Sequence, residues 1–126
     1  MRILFIWDTA GAMTPVAEWL NEQGHESAVL MHSAYDRYGR TSISKTSVLF
    51  DTLREFYTGI LSTIRRMRPT HIHVSCNLRA LTIARAGAPH LPMVMQYHGD
   101  DVRDRESVHI DVRLLADKVI VSTPDL

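Results

Sequence analysis

Ile3-Leu4-Phe5-Ile6-Trp7, then Asp8-Thr9-Ala10-Gly11-Ala12-Met13, then Thr14-Pro15-Val16: a strand-type apolar run, a small-residue turn and a helix start follow one another without a break. An unbroken apolar run, lacking the polar alternation of a half-exposed strand, reads as a strand covered on both faces, which is the habit of parallel sheets. Thr14 reads as an N-cap and Pro15 suits the first helical position. Val16, Trp19 and Leu20 then fall at i, i+3 and i+4 as one apolar face, and Gly24 supplies a stop.

The same unit recurs outward from this opening. Further strand-type runs are Ser27–Met31, His71–Ser75, Met93–Tyr97 and Lys118–Val121, most of them β-branched or aromatic. Between them, Leu49, Leu53, Phe56, Ile60, Ile64 and Met67 recur at helical spacing and predict a long helix from about Ser47 to Met67. Gly59 inside it costs about 1 kcal/mol relative to Ala. Arg65, Arg66 and Arg68 crowd its C-terminal end, where cations complement the dipole, and Pro69 ends it. A third helix runs from about Asn77 to Ala86 and closes at Gly87, and a short fourth lies between Arg105 and Ala116.

Alternation of this kind implies a three-layer α/β/α, Rossmann-like parallel sheet formed by one domain over residues 1–126. About five strands are expected, in the order 2-1-3-4-5, with room for an extra short strand. The connection from the second strand to the third is long enough to carry the chain back across strand one. That places a topological switch point between strands one and three, and ligands of such sheets sit beyond the strands' carboxyl ends there. The geometry nominates the Asp8–Thr14 loop, the Cys76-Asn77 turn and the segment His98-Gly99-Asp100-Asp101.

Composition narrows the class. The chain has 126 residues, 14 Lys+Arg against 14 Asp+Glu, and 45% hydrophobic residues, enough for one packed core. Zero formal charge argues against a general nucleic-acid binder. Arginine outnumbers lysine 12 to 2, which reads either as phosphate and carboxylate recognition or as ordinary solvated surface charge. A single cysteine excludes an internal disulfide framework and a multi-Cys zinc site. No apolar run approaches the ~20 residues of a membrane span, and the N-terminus lacks a signal-peptide pattern. A soluble cytoplasmic domain is therefore the expectation.

Several residues could carry chemistry. The Asp8–Thr14 loop holds one glycine, Gly11, so it is neither a dinucleotide fingerprint nor a P-loop. A small-residue turn feeding a helix N-terminus could still leave backbone N–H groups free for an anion or sugar hydroxyls, or Gly11 could simply make the turn. His98, Gly99, Asp100 and Asp101 bring an imidazole, a permissive backbone and two carboxylates to one strand end. The plainer alternative is a helix cap with a locally bonded histidine. His71 and His73 share a face of strand three, where a hydrogen-bonded pair covering the sheet is favoured over a metal site. Cys76 has no paired base in the sequence and reads as a spectator. The stretch Ser33–Thr46 combines Tyr35 and Tyr38 with Arg37, Arg40 and Lys45, a mildly basic, aromatic lip suited to an anionic or sugar-bearing ligand. A merely solvated loop is the equal alternative.

Taken together, these residues resemble the N-terminal half of a retaining GT-B glycosyltransferase of the family 4-like group. Met1–Trp7 and its Gly-containing loop look like that group's opening strand and loop, and Gly24-His25 like the turn before its second strand. Pro69-Thr70-His71-Ile72-His73-Val74-Ser75 is similar to the strand that reads PDIIHAH there, with Thr70 and Ser75 replacing its Asp and second His. The segment from Pro92 to Arg103 is similar to P-x-V-x-x-x-H-G-x-D-x-R, and Ala116–Ser122 to ADKVIVSS.

The resemblance implies a two-domain enzyme in which this half holds the acceptor and a C-terminal domain holds the nucleotide-sugar donor. The acceptor would be a sugar, a lipid-linked molecule or another small molecule. No further cofactor, metal or nucleic acid is implied, and peripheral contact with a membrane is compatible with the reading. His98 maps onto the histidine that lines the cleft near the transferred sugar and is the expected catalytic residue. Gly11, Ala12, Gly99, Asp100, Asp101, Tyr35 and Arg40 are the expected substrate-binding residues. The family's donor-binding Arg/Lys pair and Glu-x7-Glu motif have no counterpart in these residues, so the chain alone is expected to be nearly silent. The rival reading is a stand-alone Rossmann-like ligand-binding or regulatory module. A receiver-like version would want an acidic cluster after strand one and a Lys ending strand five, whereas Asp8 stands alone and Lys118 begins its strand.

Overall fold

The computed structural model describes residues 1–98, 112 and 114–122. Six parallel strands form one sheet: β1 (Arg2–Ile6), β2 (Glu26–His32), β3 (Ser47–Phe50), β4 (His71–Ser75), β5 (Met93–His98) and β6 (Lys118–Ser122). Their order is β3-β2-β1-β4-β5-β6. Both the count and the order differ from five strands in the order 2-1-3-4-5, because an edge strand is added outside β2. The five expected strands keep their neighbours.

The added strand corrects the expectation of one helix from Ser47 to Met67. Ser47–Phe50 pairs in register with Val29–His32, and the helix α3 begins only at Leu53 and runs to Met67. Thr52 ends the ambiguity physically: its hydroxyl accepts the Glu55 N–H at 3.1 Å, fixing the helix start there.

The switch point sits between β1 and β4. From β1 the chain steps outward to β2 and β3, whereas from β4 it steps the other way to β5 and β6. Right-handed crossovers in opposite directions lie on opposite faces of a sheet. Accordingly α1 (Met13–Glu22) covers one face, where Met13, Ala17 and Leu20 pack on Phe5 and Val29. On the other face α3 and α4 (Leu78–Gly87) bury Phe56, Ile60, Ala80, Leu81 and Ala84 against Leu4, Ile6, Ile72, Val74 and Met95. Full burial of a side chain such as Phe56 contributes roughly 1.5–3 kcal/mol. Val112 and Ala116 join this second core, and Val112, Leu114 and Leu115 are helical. The rest of the short helix expected between Arg105 and Ala116 lies outside the described residues.

The buried stripe of α1 also differs from the sequence expectation. Val16 and Trp19 are 44% and 57% exposed, while Met13, Thr14, Ala17 and Leu20 face inward. Both stripes obey helical spacing, and the one turned inward carries Ala17, which is fully buried against Phe5 and Val29. Thr14 is not the N-cap, since the helix starts at Met13 with Pro15 in its first turn rather than at its first position. At the amino edge, Arg85 of α4 donates to the carbonyls of Leu115, Pro89 and Leu91 and pairs with Asp117 at 3.0 Å. Asp117 in turn accepts the Met93 N–H at 2.8 Å, so one ion pair joins the starts of β5 and β6.

Candidate functional site

The backbone is most unusual where the switch point predicts a site. Trp7, which follows β1, and Cys76, which follows β4, have φ of 67° and 53°, and Ala10 and Gly11 in the first loop have 60° and 67°. Left-handed φ costs a non-glycine residue about 1–2 kcal/mol, and three such residues stand at the carboxyl ends of two adjacent strands. Asn77 restores regular structure after Cys76, its side chain capping α4 by accepting the Ala80 N–H at 2.9 Å.

A cleft of about 340 Å³ opens at this edge, lined by Trp7, Thr9, Ala10, Met31, Tyr35, Arg37, Tyr38 and His98. The strands deliver Trp7, Met31 and His98 from their carboxyl ends, and the lip after β2 delivers the tyrosines and Arg37. The rings support one another: Tyr35 lies 5.0 Å from Trp7 and 5.3 Å from His32, and Trp7 meets Phe56 edge-on at 5.2 Å. The Nε2–H of His32 donates to the Asp51 carbonyl at 3.0 Å, which fixes that ring behind Tyr35. Tyr35 and Tyr38 remain 46% and 67% exposed, so apolar ring faces and hydroxyls are both presented to a ligand.

The lip is held in shape from within. Asp36 accepts the N–H groups of Ser42 at 2.8 Å and Thr41 at 3.4 Å, closing the short helix α2 (Arg40–Ile43). Its carboxylate is thus committed next door to Arg37, and Arg85–Asp117 is the ion pair found among the described residues.

Asp8 holds the first loop in place from behind the cleft. Its carboxylate is 2% exposed and accepts the Met13 N–H at 2.7 Å, the Thr14 N–H at 3.0 Å and the Thr14 hydroxyl. The Thr41 hydroxyl reaches the same carboxylate at 3.3 Å. Of the two readings of this loop, free N–H groups for a ligand or a simple turn, the helix-start N–H groups of Met13 and Thr14 are taken by the chain's own carboxylate.

The expected residues are distributed as follows. His98 and Tyr35 line the cleft together. Gly11 and Arg40 meet beside it: Gly11 is buried, and a Cβ there would come within 2.9 Å of Cδ of Arg40. Ala12 is exposed just ahead of α1. Gly99, Asp100 and Asp101 lie outside the described residues. Thr9 and Ala10 bring the nominated Asp8–Thr14 loop into the lining, whereas Trp7 and Met31 line the cleft without having been singled out; their position at strand carboxyl ends was the available signal.

His71 and His73 share a face of β4. The His73 Nε2 lies 2.8 Å from Oε1 of Gln96, whose amide donates to Ser122 at 2.7 Å, and the His71 Nδ1 lies 2.9 Å from the Thr70 hydroxyl. Burial pushes the His73 imidazole below its ordinary range, with the Gln96 hydrogen bond opposing in part. The Cys76 thiol donates to the Gln96 carbonyl at 3.5 Å. Among the described residues no three His, Cys, Asp or Glu side chains group as metal ligands, and no helix is long and apolar enough to cross a membrane.

No family model and no curated protein matches the chain. Solved structures do resemble it. UDP-GlcNAc 2-epimerase from Methanocaldococcus jannaschii superposes with a TM-score of 0.62 at 10% identity, over 98% of this chain and 40% of that one. NtrX from Brucella abortus, in complex with ADP, gives 0.59 at 20% identity over 96% and 22%. WbmG from Bordetella bronchiseptica, in complex with NAD, gives 0.55 at 15% identity over 79% and 38%. The chain thus spans less than half the length of each. At these identities the likeness is one of fold, and the fold is a Rossmann-like parallel α/β sheet.

Proposed function

We propose that this chain is the acceptor-binding half of a glycosyltransferase that moves a sugar from a nucleotide sugar to a sugar, lipid-linked or other small-molecule acceptor. The observation that carries this reading is the cleft at the switch point, where Trp7, Tyr35 and Tyr38 present ring faces beside Arg37 and His98. Aromatic faces suit the C–H surface of a pyranose, while the imidazole and guanidinium suit its hydroxyl or anionic substituents. The structural likeness to a UDP-GlcNAc 2-epimerase, an enzyme named for a nucleotide sugar, supports the same chemical neighbourhood.

In this reading the donor is held mainly by a second domain. His98 faces the reacting sugar, Gly99, Asp100 and Asp101 bond its hydroxyls or the acceptor's, and Gly11, Ala12 and Arg40 shape the border of the site. Transfer with retention needs positive charge on the departing diphosphate and a closed, water-poor cleft. This half provides one wall only, so the isolated chain is catalytically silent. His98→Ala in the two-domain enzyme lowers kcat/KM by at least ~10²-fold; an unchanged value removes His98 from the mechanism. NMR titration of the isolated chain with free sugars, nucleotide sugars and lipid-phosphate headgroups tests the binding claim. Shifts confined to residues away from Trp7, Tyr35 and His98 would remove the site.

A further inference from the structure

Ring faces give the cleft its affinity for a sugar body, but they do not choose between a neutral ligand and a charged one. The charges around them do. Among the described residues the lining carries one fixed charge, the exposed guanidinium of Arg37. The only acids of the two segments that form this wall, the first loop and the lip, are engaged elsewhere. Asp36 accepts the N–H groups of Thr41 and Ser42, and the buried Asp8 accepts those of Met13 and Thr14. No carboxylate pairs with Arg37 among the described residues, where the ion pair is Arg85–Asp117. Thr9 adds an independent sign from the opposite strand end. It lines the same cleft, and its Oγ1 is buried with no hydrogen-bond partner, a state that destabilises the free protein. A ligand oxygen in the cleft would give this hydroxyl the partner that the chain does not.

We propose that the cleft selects an acidic ligand: a sugar bearing a phosphate or carboxylate, whose anionic group is held by the Arg37 guanidinium and the Thr9 hydroxyl while Trp7, Tyr35 and Tyr38 take its ring. A planar guanidinium binds either anion bidentately, and a cleft with low-dielectric walls focuses the field of a single charge. The hydroxyl donates to an anionic oxygen and is satisfied by it. At about 340 Å³ the cleft lies at the lower end of the roughly 300–1,000 Å³ typical of ligand sites. That size favours a sugar phosphate or a uronic acid over a whole nucleotide sugar. The inference rests on the acceptor reading above and narrows it from sugars and small molecules in general to acidic ones.

The test titrates the 126-residue chain with glucose, glucose 6-phosphate, glucuronate, UDP-glucose and inorganic phosphate. NMR follows the Thr9 and Arg37 amides and the Trp7 indole. The two acidic sugars are expected to bind at least about tenfold more tightly than glucose, as a charge-assisted hydrogen bond implies. That preference should shrink as salt rises, because Arg37 is exposed. Arg37→Gln should abolish the preference and leave glucose binding in place. Thr9→Val should weaken the acidic sugars by roughly two- to tenfold yet raise the thermal midpoint of the free chain, since it removes a buried hydroxyl without a partner. A merely structural threonine would not move the two in opposite directions. Equal binding of glucose and glucose 6-phosphate overturns the proposal and leaves the acceptor reading standing, as does a preference that survives Arg37→Gln. Tightest binding by UDP-glucose at these residues also overturns it, by assigning the anion to the donor. Saturable shifts of Thr9 and Arg37 with inorganic phosphate but with no sugar would uphold the anion site and sink the acceptor reading. A chain indifferent to every probe overturns both.

Discussion

The stem of Arg40 lies flat against the Cα of Gly11, so that a methyl group on Gly11 would sit 2.9 Å from its Cδ and 3.1 Å from its Cβ. The contact joins the first loop to the lip of the cleft. Gly11 also has φ of +67°, a conformation that costs an L-residue about 1–2 kcal/mol. Gly11→Ala should therefore destabilise the fold by roughly that amount or somewhat more, and should displace the lip. Urea unfolding measures the first effect. Loss of sugar-induced shifts at Tyr35 measures the second, and a variant of unaltered stability would contradict the contact.

A second glycine tests packing against propensity. Gly59 lies within α3, where alanine is ordinarily favoured by about 1 kcal/mol. Here the ring of Phe50 occupies the space, with carbon atoms 2.4 and 2.5 Å from where a Cβ would stand. Moving that ring costs typically 1–3 kcal/mol as overpacking, so Gly59→Ala should destabilise the protein. A rise in thermal midpoint would show that β3 shifts aside freely.

At the amino edge, Arg85→Ala removes the donors for three backbone carbonyls and one carboxylate at once. The expected loss is about 1–3 kcal/mol, arising mainly from the carbonyls left without a partner. Asp117→Asn should be milder, because an amide oxygen can still accept the Met93 N–H. Hydrogen exchange should localise both effects to the starts of β5 and β6; equal loss of protection in β1 and β2 would argue against a local clasp.

Acid should weaken the sheet through His73. Burial holds its imidazole below the ordinary value of about 6.5, so the unfolded chain takes up the proton at a higher pH than the folded chain does. The resulting stabilisation is complete above about pH 6.5 and is lost as the pH falls toward the folded value. The urea midpoint should decline between about pH 7 and pH 5, and His73→Gln should flatten that decline. An identical slope in the variant would assign the acid sensitivity elsewhere.

The sequence and the structure agree where the signal is local and strong. β1, β2, β4, β5 and β6 were legible because each is an apolar or β-branched run between breakers. β3 was not, because Leu49 also fits the apolar period of α3, and a four-residue edge strand has little pattern of its own. The better signal was Thr52-Leu53-Arg54-Glu55, a capping-box sequence that marks a helix start. The cap of α1 was hidden for another reason: Asp8 acts from five and six residues upstream, beyond the reach of a neighbouring-residue rule. For the site, topology located the carboxyl edge and named His98 and Tyr35. It could not tell that Arg40 would turn its stem to Gly11 while Arg37 entered the cleft, since that depends on how Asp36 closes the lip.

The row His73–Gln96–Ser122 crosses β4, β5 and β6 on the face that carries α1, beyond the span of that helix. Each strand's imidazole, amide or hydroxyl is thereby engaged by its neighbour through side chains as well as backbone. Sliding β4, β5 or β6 by one residue would turn these partners to opposite faces, so the register of this half of the sheet is written twice, once in the backbone ladder and once in three side chains.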